Sequence, residues 1–356
     1  MGLRRLIAMV AKLPGTPIWG SYETSYRRDN MIKRVVVMVL ILTFISSIIG
    51  FRSYEAKSNI NIQNVKVNFA NNTKITNLAL DSFRNSRNND NFVYKNISKV
   101  FYLSGFPGDI KSKDFNTGEV VTLVSGNAGN FDISKDGQKM VYASNKTGAW
   151  QIYIADVNKD KLSNIRMLSD GISRSEDPRL SWDNSKVVYK RNGDIVVCAL
   201  DGSIIQEITN TPDTEEWAPN FAPDGRIAYT RGIGDKSQIV VWDNSREQIE
   251  ATGWYPAFGD DGSLYFIGRS NDDEDDIYRI PPGSTYKELL PINASGVSEA
   301  DPHWVLGTNK WLVFNSERGN DEHRYEGYIA DITTNKVFKI ISDTKPVFNP
   351  IVIIKN

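Results

Sequence analysis

From residue 99 onward, apolar and polar positions alternate in short runs broken by Gly, Pro, Asp and Asn, and the same arrangement keeps returning. Five segments line up: NFDISKDGQKMVYAS from Asn130, DPRLSWDNSKVVYKR from Asp177, APNFAPDGRIAYTRG from Ala218, YPAFGDDGSLYFIGR from Tyr255 and DPHWVLGTNKWLVFNSE from Asp301. Each opens on a turn residue and usually a Pro, runs as an alternating strand, crosses a tight turn and returns as a β-rich run ending in an aromatic. Period-two alternation between such breakers predicts half-buried strands. The turns are Lys135-Asp136-Gly137, Asp183-Asn184, Pro223-Asp224-Gly225, Asp260-Asp261-Gly262 and Gly307-Thr308-Asn309. Asp-Gly between apolar runs signals a hairpin whose two central residues both take positive φ. A third strand follows (150–157, 194–200, 238–243, 276–280, 327–332), then a fourth in RMLS, IQEIT, EQIEAT, YKELLP and FKIIS.

The register residues Phe131, Pro178, Pro219, Pro256, Pro302 and Pro350 are spaced by 47, 41, 37, 46 and 48 residues. Four strands at that period make one propeller blade. After Pro350 only one strand remains, IVIIKN, while three unassigned strands (99–103, 109–114 and 120–124) precede the first complete unit. The C-terminal strand is therefore expected to become the innermost strand of the blade begun at residue 99. This predicts an all-β, six-bladed β-propeller over 99–356, about 43 residues per blade, with one blade shared by the two ends. Sharing a blade also removes an exposed sheet edge.

Phe221-Ala222-Pro223-Asp224-Gly225 and Ile152-Tyr153-Ile154-Ala155-Asp156, followed by Asp276-Ile277-Tyr278 and Tyr328-Ile329-Ala330-Asp331, resemble the TolB-type propeller repeat, a WD40-like or PD40 pattern. The resemblance covers about 70 per cent of the chain. It implies a periplasmic or cell-surface propeller that binds proteins within an envelope assembly. The residues ahead of the array are too few and too Asn-rich for the α/β domain that TolB carries before its propeller.

Residues 35–51, VVVMVLILTFISSIIGF, form an uncharged apolar run of 17 residues, at the short end of what spans a bilayer. Arg4, Arg5, Lys12, Arg27, Arg28, Lys33 and Arg34 precede it against Glu23 and Asp29, which predicts a cytoplasmic tail at 1–34 and export of the rest. An uncleaved transmembrane signal anchor is the preferred reading, with a cleaved signal as the alternative. Candidate cleavage positions such as Ile48/Gly50 lack the required small residues. Residues 52–98 hold 12 Asn from Asn59 to Asn96 and read as a linker.

Composition narrows the chemistry. With 42 Lys+Arg against 43 Asp+Glu, net charge −1, the chain lacks the basic excess of a nucleic-acid protein. One Cys excludes an internal disulfide framework, and Cys198 sits mid-strand as a buried small hydrophobe. The two His, His303 near the channel and His323 in a charged loop, are a poor basis for metal or acid–base chemistry. No G-x-S-x-G occurs. The acidic run 271–276 lacks the spacing of a calcium loop and is read as a solvated hairpin tip. No cofactor and no metal are expected. Sequons stand at Asn71, Asn96, Asn145 and Asn293.

The loops just before each innermost strand crowd one mouth of the central channel. They carry Arg174, Glu176, Asp177, Glu215, Glu216, Trp217, Trp254, Tyr255, Glu299, Asp301 and Phe348. Aromatic anchors among acidic groups suit capture of a peptide or protein segment. Residue by residue, a plainer reading is that Asp177 and Asp301 cap tight turns and the Trp residues pack between blades. The expected function is a non-catalytic, membrane-tethered scaffold or subunit on the exported side. The alternative is a glycan-processing hydrolase or lyase using Glu176, Glu216, Glu299 and Asp301.

Overall fold

The computed structural model describes residues 93–270, 274–319 and 322–355. Over these the chain is all-β and propeller-like, apart from one helical turn at 93–96 and a 3-10 turn at Gly234–Lys236. The apolar run 35–51, the tail before it and the linker up to residue 92 lie outside the described residues. Among the described residues no helix is long and apolar enough to cross a membrane.

Strands β1 (Ile97–Ser104), β2 (Gly108–Asp114) and the first half of β3 (Val120–Ile133) form an antiparallel meander. The second half of β3 pairs with β4 (Lys139–Ser144), which is followed by β5 (Gln151–Asn158) and β6 (Lys161–Met167). The expected break between strands at 120–124 and 130 is absent. One 14-residue strand instead serves both ladders, bent at Gly126 and Asn127, which are left-handed at φ 59° and 56°.

Antiparallel four-stranded sheets follow. The first is β7 (Ser175–Leu180), β8 (Lys186–Arg191), β9 (Asp194–Ala199) and β10 (Ile204–Glu207). Next come β11 (Glu216–Phe221), β12 (Ile227–Arg231), β13 (Gln238–Trp242) and β14 (Glu247–Thr252). Then β15 (Trp254–Phe258), β16 (Leu264–Arg269), β17 (Asp275–Ile280) and a two-residue β18 (Glu288–Leu289). The last is β19 (Glu299–Trp304), β20 (Trp311–Ser316), β21 (Glu326–Asp331) and β22 (Lys336–Ile341).

Strand β23 (Val347–Ile354) runs antiparallel to β1, with Phe101 opposite Ile351 and Val100 opposite Val352. The first strands touch in cyclic order: β3 with β7, then β11, β15, β19 and β23, which returns to β3. The ordered sheet starts earlier than residue 99. Ile97 opens β1 fully buried, and Val93 in the preceding turn already packs in the core.

The aromatic that ends each second strand explains the repeat. Tyr102, Tyr142, Tyr189, Tyr229, Phe266 and Phe314 are all at most 2% exposed and wedge between neighbouring sheets. Each such ring contributes on the order of 2–3 kcal/mol by burial. The hairpins differ from the expected two-residue form. Only the residue after Asp is left-handed (Gly137, Asn184, Gly225, Gly262), at φ 58° to 89°. The Gly137 N–H donates to Ser134 O, and the Asp136 carboxylate accepts the Gln138 N–H at 3.0 Å, bridging over the glycine. Asp183, Asp224 and Asp261 do the same for Ser185, Arg226 and Ser263. Asp is therefore present for its acceptor and Gly for its backbone freedom.

Ile351 is 3% exposed at the β23–β1 seam. Ile351→Ala should cost about 3 kcal/mol, read as a lowered urea midpoint. Ile249→Ala, on the exposed strand β14, should move stability by less than about 0.5 kcal/mol.

Candidate functional site

The first strands share one distortion. Asp177, Ala218, Tyr255, Asp301 and Asn349, each directly before the register Pro, sit at φ 47° to 53°. A left-handed residue is costly for any side chain, and a following Pro further restricts it, so each position stores about 1 kcal/mol or more. The strand registers break there, as between Glu176 and Arg179 or Ala300 and His303. Asp177 and Asp301 thus stand at bulges inside strands rather than capping tight turns.

The bulges turn side-chain oxygens toward the adjacent first strand. Asp132 accepts the Leu180 N–H at 2.8 Å, Asp177 the Ala218 N–H at 3.2 Å, Asn220 the Phe258 N–H at 3.0 Å and Asp301 the Asn349 N–H at 3.1 Å. Asp177 also accepts from Asn130, and Asp301 from Asn315. Arg179 donates to Phe131 O at 2.9 Å and to Asn349 at 3.1 Å. Desolvation raises the Asp301 carboxyl above its ordinary value, against the Asn349 N–H and the Arg179 charge. The Tyr255 hydroxyl is likewise held up by desolvation, then by Asp301 and Asp177, and stays neutral at physiological pH.

At the end where the first strands begin, a shallow cavity of about 240 Å³ gathers Arg174, Glu176, Asp177, Glu215 and Trp217. Lys190 and Ile233 complete its wall. Arg174 pairs with Glu176 at 2.8 Å, and Lys190 bridges Glu176 at 3.4 Å and Glu215. The Trp217 indole N–H donates to Gly232 O at 2.8 Å, and its ring meets Tyr255 edge-on at 5.0 Å. Trp254 lies 5.8 Å from the Arg269 guanidinium, and Phe348 packs 5.9 Å from Tyr325. Ile172 and Ile233, in loops at this same end, are 88% and 80% exposed.

Two expected members are not on this surface. Glu216 and Glu299 are fully buried. Glu216 pairs with Arg231 at 2.9 Å and accepts the Thr211 hydroxyl at 2.6 Å. Glu299 accepts from Arg318 and from Ser316 at 3.0 Å, while its second carboxylate oxygen has no partner. Burial outweighs the Arg318 charge and pushes the Glu299 carboxyl up to about 7. Both acids hold the starts of their strands together across the sheet.

Lys190, Ile233 and Tyr325 escaped the sequence reading. Lys190 left only a partial signal: counting outward from the Asp183-Asn184 turn places it opposite Asp177, and the bulge between Glu176 and Arg179 moves it opposite Glu176. Elsewhere, Cys198 is buried and its thiol is pushed up to about 12 by desolvation. His303 lies 3.4 Å from Asp132, and His323 is exposed beside Glu317. Among the described residues no group of three or more His, Cys, Asp or Glu is placed to hold a metal. The Asn293 amide is occupied by the Ile277 and Leu290 carbonyls.

TolB from Acinetobacter baumannii superposes with a TM-score of 0.57 at 16% identity, over 72% of this chain and 66% of that one. A putative TolB from Agrobacterium tumefaciens gives 0.50 at 17%, over 68% and 88%. A chain of a nidogen/laminin complex gives 0.55 at 12%, over 71% and 97%. The fold is TolB-like. No family model matches the sequence, and no curated protein does. This TolB-like chain therefore shares architecture with those proteins at low identity and spans 66% of the Acinetobacter TolB chain.

Two outcomes follow from the buried acids. Glu216→Ala leaves Arg231 with Glu247 alone and the Thr211 hydroxyl without its acceptor, and should cost about 2 kcal/mol, read by chemical denaturation. Glu299 binds its proton more tightly folded (about 7) than unfolded (ordinary value 4.5), so unfolding free energy should fall as pH rises across that window. The fall is at most about 3 kcal/mol, and Glu299→Gln should flatten that part of the pH profile.

Proposed function

We propose that this chain is a closed ring of six blades, completed by β23 beside β1, whose rim of first-strand loops binds a protein partner without catalysing a reaction. The single observation that carries this reading is the rim itself. Trp217 and Tyr255 are fixed edge to face, and Trp217 shares the cavity wall with the exposed Ile233, within an ion-paired border of Arg174, Glu176, Lys190 and Glu215. Aromatic and aliphatic anchors inside a polar border are the anatomy of a binding hot spot. The six-sheet ring accounts for the cyclic contacts of the first strands.

The state of the acids favours binding over glycan processing. Glu216 and Glu299 have no exposed surface, and Asp177 and Asp301 are engaged by backbone N–H groups of the next strand. A general acid and base must reach a substrate within hydrogen-bond distance. A chain of like fold occurs in a nidogen/laminin complex, an assembly between proteins. Tethered by residues 35–51, with 52–98 as spacer, the propeller would present its rim on the exported side of a membrane.

The test is recovery of the native complex after mild detergent extraction. A stoichiometric protein partner should co-purify with the full chain, and Trp217→Ala or Ile233→Glu should reduce its recovery at least tenfold. The control Ile249→Glu, on the outer strand β14, should not. Equal recovery with all three variants overturns the assignment to the rim, and a chain that purifies alone overturns partner binding.

A further inference from the structure

The rim cavity has more specific chemistry than a hot spot needs. We propose that it receives one cationic side chain, a lysine or arginine of the partner. The proposal rests on the protein-binding reading above and narrows it to a residue class.

Size comes first. At about 240 Å³ the cavity lies below the roughly 300 Å³ at which pockets for drug-sized ligands begin, so it takes one side chain. Charge comes next. Glu176, Asp177 and Glu215 face Arg174 and Lys190, an excess of one negative charge. Both nearby cations are engaged already, Arg174 on Glu176 through two nitrogens and Lys190 between Glu176 and Glu215. An incoming carboxylate would have to displace one of those pairs. An incoming ammonium or guanidinium meets the Glu215 carboxylate, whose side chain is still 40% exposed.

The walls suit the stem of such a side chain. Trp217 and Ile233 give an apolar surface along which a lysine or arginine chain can lie, and an indole is the best cation–π partner among the rings. These walls are pre-set. Gly232 donates its N–H to Glu215 O at 2.8 Å and accepts the Trp217 indole N–H, so one residue fixes the acid and the ring together. Ile233 follows it directly. A neutral apolar side chain would strip water from the Glu215–Lys190 pair and add no charge to the acidic excess, which is unfavourable.

Saturation-transfer NMR on the full chain in detergent tests this with small probes. Nα-acetyl-lysinamide and Nα-acetyl-argininamide should show saturable transfer to their side-chain methylenes. Nα-acetyl-norleucinamide and Nε-acetylated lysine should give at least threefold less. Glu215→Gln, which leaves Lys190 its Glu176 partner, should bring lysine down to the norleucine level, and Trp217→Phe should weaken it without abolishing it. Equal transfer from norleucine, preferential transfer from Nα-acetyl-glutamate, or no saturable transfer from any probe overturns the proposal. The broader reading fails separately. If Glu215→Gln leaves partner recovery intact while Trp217→Ala abolishes it, the rim still binds protein and the cationic side chain is wrong.

Discussion

A sheet whose first strand faces an axis leaves that strand's outer edge without a ladder, and buried N–H groups there must find acceptors. In this chain the acceptors come from the neighbouring sheet. Asp132, Asp177, Asn220 and Asp301 each reach across to one backbone N–H of the next first strand. Asp177 and Asp301 occupy left-handed positions themselves and Asn220 lies two residues past the left-handed Ala218, whereas Asp132 makes its bond with no left-handed residue beside it. Aromatics pack between the sheets, and these oxygens tie each first strand to the next.

That constraint sorts the acidic residues by what they are free to do. Acids that stitch strands, such as Asp177 and Asp301, or that clamp a strand end to an arginine, such as Glu216 and Glu299, are committed to the architecture. Glu215 is different. It sits one residue outside the clamp of Glu216, with its backbone held by Gly232 and its carboxylate half in solvent. Adjacent positions therefore have opposite fates because strand alternation sends one side chain inward and the next outward.

Much of this was legible in the chain. The repeat period located the four-stranded sheets that follow β6, and the lone C-terminal strand with three orphan strands upstream pointed to the pairing of β23 with β1. Loop position located the rim residues that share the cavity: Arg174, Glu176, Asp177, Glu215 and Trp217. Three things were not legible, for physical reasons. A bulge before Pro has no one-residue signature, because Asp, Ala, Tyr and Asn all occupy it. The burial of Glu216 and Glu299 depends on Arg231 and Arg318, which lie 15 and 19 positions away across a hairpin. The continuity of β3 depends on two left-handed residues that the sequence presents as an ordinary turn.

The direction of β1 has a mechanical consequence. Its first residue, Ile97, lies opposite Ile354, at the far end of β23 from the rim, and its last, Ser104, lies opposite Val347, where β23 starts. A pull between residue 93 and something held at the rim therefore acts along β1, which is bonded on one flank to β23 and on the other to β2. The two ladders are loaded in shear, so their hydrogen bonds must fail together instead of opening one after another. The strand that would carry such a load is thus paired along both flanks.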